Sequence, residues 1–254
     1  MKVNIELAKQ PDNKASVLHY CPIKKYSDWV QEGKVTLSQI SKWRDDDRFE
    51  GASTIRNREM RSEVYREDDI PLSVINNVLP AVFEVYPNWC YGSCWSVNDS
   101  ESNLMWDRYA KDGVLIRSSY ERLISVVSKN IDQNPNALHI GLVEYINDNF
   151  YMPENHLYRR LFFKRETYQQ ENELRLMWQP VMPMRNGKFD PFLKNTTSRV
   201  DLFLNLEELI EEIIISPYGG DGLLKQVSEI TRNAAGLEME KKIKPSVLSA
   251  ELFY

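Results

Sequence analysis

The eight residues from Glu171 to Trp178, ENELRLMW, constrain this chain more than any other stretch. In a strand, side chains alternate between the two sides, so residues two apart share a face. Glu171, Glu173 and Arg175 then share one side, while Asn172, Leu174, Leu176 and Trp178 share the other, which is apolar enough to lie on a core. Two carboxylates stand side by side at a sheet surface. Like charges that close resist ionising together, so a cation must compensate them or one must keep its proton, and such pairs occur at catalytic sites. An amphipathic strand whose outer face carries a solvated Glu/Arg pair satisfies the same pattern.

The chain has 254 residues, 42% of them hydrophobic, and can bury a sizeable core. No Pro-, Gly- or Ser-rich stretch reads as a linker, so the expectation is one domain over 1–254, with its core in 15–250. A net charge of -5 and a pI near 5.4 argue against general nucleic-acid binding. The basic run Arg159, Arg160, Lys164 and Arg165 reads as a solvated helix face. Three cysteines, Cys21, Cys90 and Cys94, form no disulfide framework, and no secretory leader or long apolar span occurs, so a cytoplasmic protein without a membrane segment is expected. With His19 these cysteines match no metal spacing, and no metal is expected.

Taken in order, Ala15 to Cys21 reads as a strand ending near His19 and Tyr20, and a helix opened by Pro22 stops at Gly33. Lys34 to Ile40 is a second strand. Trp43 to Ser53, WRDDDRFEGAS, reads as a charged loop near the site, a mobile lid or an ordinary solvated loop. Helices are expected over Arg56–Asp69 and Pro71–Val85, then an aromatic strand over Trp89–Val97 in which Gly92 marks a bulge or close backbone approach. A short helix over ESNLMWDRYA closes at Asp112-Gly113 before the strand VLIRS. Leu138–Ile146 reads as a strand, Pro153–Arg165 as a helix, Met182–Asn195 as a hairpin region around Asn186-Gly187, and Val200–Leu206 and Glu212–Ser216 as strands. A helix over Gly222–Asn233 and a final strand in IKPSVLSAELFY complete the chain. This irregular alternation predicts an α+β fold, a mixed and largely antiparallel β core with surrounding helices.

The dinucleotide, P-loop, serine-hydrolase and zincin motifs are all missing from the sequence. Of three histidines, His139 falls in an apolar strand, His156 in a polar segment, and His19 beside an aromatic at a strand end. A histidine bonded to a ribose, an aromatic stacked on a flat ring and a carboxylate facing positive charge suit a nucleotide glycoside, whose cleavage develops an oxocarbenium-like cation. Trp95, Trp106 and Tyr109 serve equally well as core aromatics.

The order of the pieces carries a resemblance. Leu18-His19-Tyr20 comes first, then Trp43 to Gly51 with Phe49-Glu50, Cys94-Trp95-Ser96, and Trp106-Asp107-Arg108-Tyr109-Ala110 with Gly113. Val143-Glu144-Tyr145, Phe163-Lys164-Arg165, Glu171-Asn172-Glu173-Leu174-Arg175, Ile214-Ile215-Ser216-Pro217 and Ser246-Val247-Leu248 follow. This order resembles the bacterial and phage family known as domain of unknown function 2971, over most of residues 18–250. It also resembles the ADP-ribosyltransferase fold, whose members carry an Arg or His on an early strand, a Ser or Tyr in the middle and a Glu, often in Glu-x-Glu, on a late strand that grips NAD. Carried over, the resemblance implies that NAD is the substrate, that His19 holds the nicotinamide ribose and Ser96 supports the site. It implies further that Glu173 stabilises the oxocarbenium ion, Glu171 orients the acceptor, and Tyr109 or Tyr20 stacks on the nicotinamide. The middle motif departs from the usual one, with Cys94 in place of a small hydroxyl residue and Trp95 before Ser96.

The expected function is therefore an NAD-dependent ADP-ribosyltransferase or NAD glycohydrolase with a protein or nucleic-acid acceptor, in phage conflict or as a toxin-like effector. The alternatives are a non-catalytic binding module of the same fold that recognises a protein or nucleotide ligand, and a metal-dependent nuclease using Asp45 to Asp47, Glu171 and Glu173.

Overall fold

A computed structural model describes residues 6–129, 138–154 and 156–249 of the chain. Strand β1 (Ser16–Pro22) leads into helix α1 (Ile23–Glu32), which Pro22 opens and Gly33 closes in the left-handed region at φ 64, ψ 40, and β2 (Lys34–Gln39) follows. The charged stretch begins as a 3-10 turn over Ile40–Asp45. Next come α2 (Ile55–Val64), capped by Thr54, and α3 (Leu79–Val85), reached through a π-helical turn at Val74–Val78. Then follow β3 (Tyr91–Val97), α4 (Asn103–Tyr109), β4 (Gly113–Ser119), α5 (Tyr120–Lys129), β5 (Leu138–Leu142) and β6 (Glu144–Ile146). Ser102 caps α4 by accepting from Met105 N.

The segment read as a helix over 153–165 is instead a 3-10 turn at Arg159–Phe162 running into β7 (Phe163–Arg165), which pairs parallel with β6. Leu161, Phe162 and Phe163 are all buried there, and three consecutive buried side chains suit a strand entering a core better than one face of a helix. β8 (Glu173–Trp178) follows, then the hairpin β9 (Met184–Arg185) and β10 (Lys188–Phe189) turning at Asn186-Gly187. β11 (Arg199–Phe203), α6 (Leu206–Leu209), β12 (Glu212–Ile215), α7 (Gly220–Glu240) and β13 (Ile243–Pro245) close the described chain; the expected last strand beyond Ser249 falls outside the described residues.

The resulting α+β architecture is built on a mixed sheet that, among the described residues, has nine strands and one parallel pairing, β12–β13. One face buries the larger core, where Tyr26, Trp29 and Val30 of α1, Leu123, Val126 and Val127 of α5, and Val227 of α7 cover the sheet. Under α4 on the opposite face lies a smaller cluster of Leu18, Tyr20, Met105, Trp106 and Leu115. Alternation holds through the central strands: Tyr91 and Trp95 of β3 and Leu174 and Leu176 of β8 face the larger core, leaving Cys94, Glu173 and Arg175 on the other side.

One departure from regular pairing positions everything that follows. β8 covers one edge of β3 along Tyr91–Ser96. The other edge is shared: β2 pairs only at Gly92 and Tyr91, and β1 only at Ser96 and Val97. Between these points β1 and β2 diverge, β1 toward β4 and β2 toward β11, so the sheet forks and Ser93, Cys94 and Trp95 meet no strand on that edge. Among the described residues, no helix is long and apolar enough to cross a membrane.

Candidate functional site

The fork encloses a cavity of about 210 Å³. The main chain would leave polar groups unmet there, and His19 fills part of the gap: its Nδ1 lies 2.7 Å from the Cys94 carbonyl, the bond a neighbouring strand would otherwise make. A carbonyl only accepts, so Nδ1 carries the proton. Burial, aided by the charge of Lys25, holds the ring well below the usual imidazole range, so His19 is neutral and its Nε2 presents a lone pair without a partner among the described residues. The ring stacks on Trp29 at 4.7 Å and lies 5.1 Å from Trp95.

The two glutamates converge by a route that simple alternation does not give. Glu171 ends a 3-10 turn, Asn172 adopts φ 41, ψ 55, and the strand begins only at Glu173. The left-handed residue bends the chain, a conformation asparagine tolerates better than most residues. Ser96 fixes this corner, its hydroxyl donating to the Glu171 carbonyl at 2.7 Å and accepting from Asn98. Lys164 then joins the pair, its Nζ 2.6 Å from Glu171 and 3.3 Å from Glu173. Arg108 and the Tyr109 hydroxyl also donate to Glu171, at 3.0 and 2.9 Å. Arg175, with no exposed surface, grips Glu173 through Nε at 2.7 Å and Nη2 at 3.2 Å, and reaches Glu50 with Nη1 at 2.7 Å.

Far from being a solvated pair on an outer face, these groups form a buried network whose charges fix one another. Burial alone would raise the Glu173 carboxyl, but Arg175 and Lys164 overcome it and hold it down to about 2. For Glu50 the balance reverses: burial raises its carboxyl more than Arg175 lowers it. Burial also opposes the charge on Lys164, and Glu173 and Glu171 outweigh it, raising the ammonium above its usual value. Cys94 opens onto the cavity while protein surrounds it, and burial followed by the charge of Glu173 pushes its thiol well above normal.

The chain matches no family model, no curated protein and no solved structure.

All six residues singled out in the sequence line this one cavity: His19, Tyr20, Ser96, Tyr109, Glu171 and Glu173. Their settings differ from the expected ones. His19 lies within β1 rather than at its end. Tyr20 is committed elsewhere, with its ring edge-on to Trp106 at 5.1 Å and its hydroxyl accepting from Ser102 N at 2.9 Å, so Tyr109 is the tyrosine better placed to meet a ligand. Ser96 braces backbone rather than presenting a free hydroxyl.

Lys25, Arg108, Glu50 and Lys164 also line the cavity; the sequence gives no signal for Lys25, offers Arg108 and Glu50 without a site role, and places Lys164 in a solvated basic face. Neighbouring Arg160 is likewise buried, its guanidinium 3.7 Å above Phe83. Only the reading of 43–53 as a loop near the site pointed toward Glu50. Gly92 answers to close approach rather than to a bulge, since a Cβ there would lie 2.4 Å from the Trp43 ring. Of the acids that the nuclease alternative would use, Asp47, Glu171 and Glu173 pair with Arg165, Lys164 and Arg175, and among the described residues no group of three His, Cys, Asp or Glu side chains could hold a metal ion.

Proposed function

We propose that the cavity at the sheet fork binds a nucleotide and cleaves its glycosidic bond, making the protein an NAD-dependent ADP-ribosyltransferase or NAD glycohydrolase. The observation that carries this reading is Glu173, a carboxylate kept ionised in a buried cavity that a neutral histidine and a tyrosine also line. When the bond from the ribose C1′ to nicotinamide breaks, nicotinamide leaves with the electron pair and positive charge spreads over C1′ and the ring oxygen. A fixed, poorly solvated carboxylate stabilises that charge without reorganising. Water or an acceptor hydroxyl then bonds to C1′ and gives up its proton.

His19 Nε2 suits a ribose hydroxyl, because a bare lone pair accepts what a hydroxyl donates. Tyr109, anchored through its hydroxyl to Glu171, offers a ring for stacking on the nicotinamide, and Glu171 orients the acceptor. At about 210 Å³ the cavity is below the usual range of about 300–1,000 Å³ for ligand pockets, which fits entry of the nicotinamide mononucleotide end while the adenosine end of NAD lies outside.

A second reading, a non-catalytic module that recognises a nucleotide or a protein, draws on the same network. Glu173 is already compensated by Arg175, and Glu171 by Arg108 and Lys164. Calorimetric titration of wild type and Glu173→Gln with NAD, with nicotinamide release followed in the same samples, separates the two. Binding by both with release only by wild type supports glycosidic cleavage. Binding by both with release by neither moves the protein to the second reading, and absence of binding removes NAD from both.

A further inference from the structure

Because the fork interrupts the sheet, the cavity is lined from both of its faces. Glu173 and Cys94 lie on one side, while on the side covered by α1 the lining is made of Lys25, His19, Ser93 and Trp95. The two sides differ in charge. Lys25 places its Nζ over the Trp29 ring, 5.2 Å from the centroid, and among the described residues no carboxylate comes within ion-pair reach of it. Every other basic side chain lining the cavity, Arg108 and Lys164, is paired with Glu171.

Two neutral donors on this side are also unmet. Ser93 Oγ and Trp95 Nε1 belong to side chains only 3% and 2% exposed, and neither finds a partner among the described residues. Leaving a buried donor unsatisfied is destabilising, and two such donors beside an ammonium that meets no carboxylate are not what packing alone would select. Trp95 and Trp29 both contact the His19 ring and Lys25 overlies Trp29, while Ser93 lines the same cavity two residues before Trp95 on β3. Burial already draws the Lys25 ammonium below its usual value, a penalty that a bound anion would offset.

We propose that this α1-side arm of the cavity holds the phosphate of a sugar phosphate, with Lys25 as its counter-ion, Ser93 Oγ and Trp95 Nε1 as its neutral donors, and His19 Nε2 accepting a hydroxyl of the attached sugar. The proposal deepens the nucleotide reading and rests on it for the identity of the sugar, but not for the phosphate. It assigns the ligand's two ends to the two sides of the sheet: the group that leaves toward Glu173, and the phosphate toward α1.

The test compares two ligands that differ by one phosphate, nicotinamide riboside and nicotinamide mononucleotide, titrated by calorimetry into wild type, Lys25→Met, Lys25→Arg and Trp95→Phe, with inorganic phosphate as a third probe. Methionine keeps an apolar stem over Trp29 and removes only the charge. Wild type is expected to bind the mononucleotide more tightly than the riboside by about tenfold or more, the scale of a charge-assisted contact. Lys25→Met should equalise the two ligands, Lys25→Arg should restore part of the preference, and Trp95→Phe should weaken the mononucleotide alone. Equal binding of both by wild type, or a preference that survives Lys25→Met, overturns the proposal. Should neither nicotinamide ligand bind while inorganic phosphate binds and is lost in Lys25→Met, the phosphate arm stands and the glycosidic reading falls; if phosphate too fails to bind, both fall. Should Lys25→Met fail to fold, Trp95→Phe decides by the same comparison.

Discussion

Arg175 and Glu50 stand 125 positions apart in the chain and meet as a fully buried ion pair, Nη1 to Oε1, at 2.7 Å. Arg175 is shared, since the same guanidinium holds Glu173. Removing one partner from a buried pair leaves its charge without compensation, at a cost of about 3–5 kcal/mol. Arg175→Met strands Glu50 and leaves Glu173 to Lys164 alone, and should lower the unfolding free energy measured in urea by an amount in or above that range. Arg175→Lys keeps the charge but cannot span both acids with a planar fork, so it should fall between wild type and Arg175→Met. A lysine variant as stable as wild type would mean that charge alone, and not the fork, holds the two acids.

The effect of acid has a definite sign. Burial raises the Glu173 carboxyl, yet Arg175 and Lys164 bring it in the folded protein to about 2, against 4.5 for the ordinary group. A carboxyl depressed by folding stabilises the folded state fully above about pH 4.5 and loses that contribution as pH falls toward 2. Glu50 acts in the opposite sense, its folded carboxyl lying above the ordinary value. The stability gap between wild type and Glu173→Gln isolates the first group: it should be widest above about pH 5 and shrink steadily toward about pH 2.5. A gap that is flat across this window contradicts the assignment.

Lys164 is the cation that bridges Glu171 and Glu173. In Lys164→Met each carboxylate keeps an arginine, but their mutual repulsion is no longer bridged. Carboxyl-carbon NMR titration should then show the Glu173 carboxyl moving up from about 2, while Arg175→Met moves it further, because Arg175 is the larger of the two lowering influences.

Two glycines should respond to alanine for different reasons. At Gly92 a Cβ meets the Trp43 ring at 2.4 Å, so Gly92→Ala must displace that ring from the cavity rim, at about 1–3 kcal/mol. Trp43 lies beneath the Arg175 guanidinium, 4.8 Å from ring centroid to carbon, so loss of stability should be accompanied by a change in tryptophan fluorescence. Gly33 has open space around it but sits at φ 64. There Gly33→Ala should cost about 1–2 kcal/mol through backbone conformation alone, with the fluorescence of the site unchanged.

Local chemistry made much of the fold legible. The alternation of Leu174, Leu176 and Trp178, Pro22 and Gly33 at the ends of α1, and the Asn186-Gly187 hairpin depend on neighbours a few positions away, and the structure has them where the pattern places them. The α+β class follows from their sum. Tertiary structure decided what those rules do not reach. Alternation put Glu171 on the strand with Glu173, whereas a left-handed Asn172, with Ser96 holding the Glu171 carbonyl beside it, delays the start of that strand to Glu173 and still leaves the two carboxylates on one lysine. The run 153–165 reads as a helix by its charges, but burial of three successive residues draws it into a strand.

The six candidate residues were readable as types in an order; their meeting in one cavity, and the partners Glu50, Lys164 and Arg108, were not. Sequence records which side chains a segment offers to each face, because that depends on the backbone period alone. It does not record where β1 and β2 part along β3, because the fork is set by which distant strands compete for one edge. The fork is what turns a row of strands into a site.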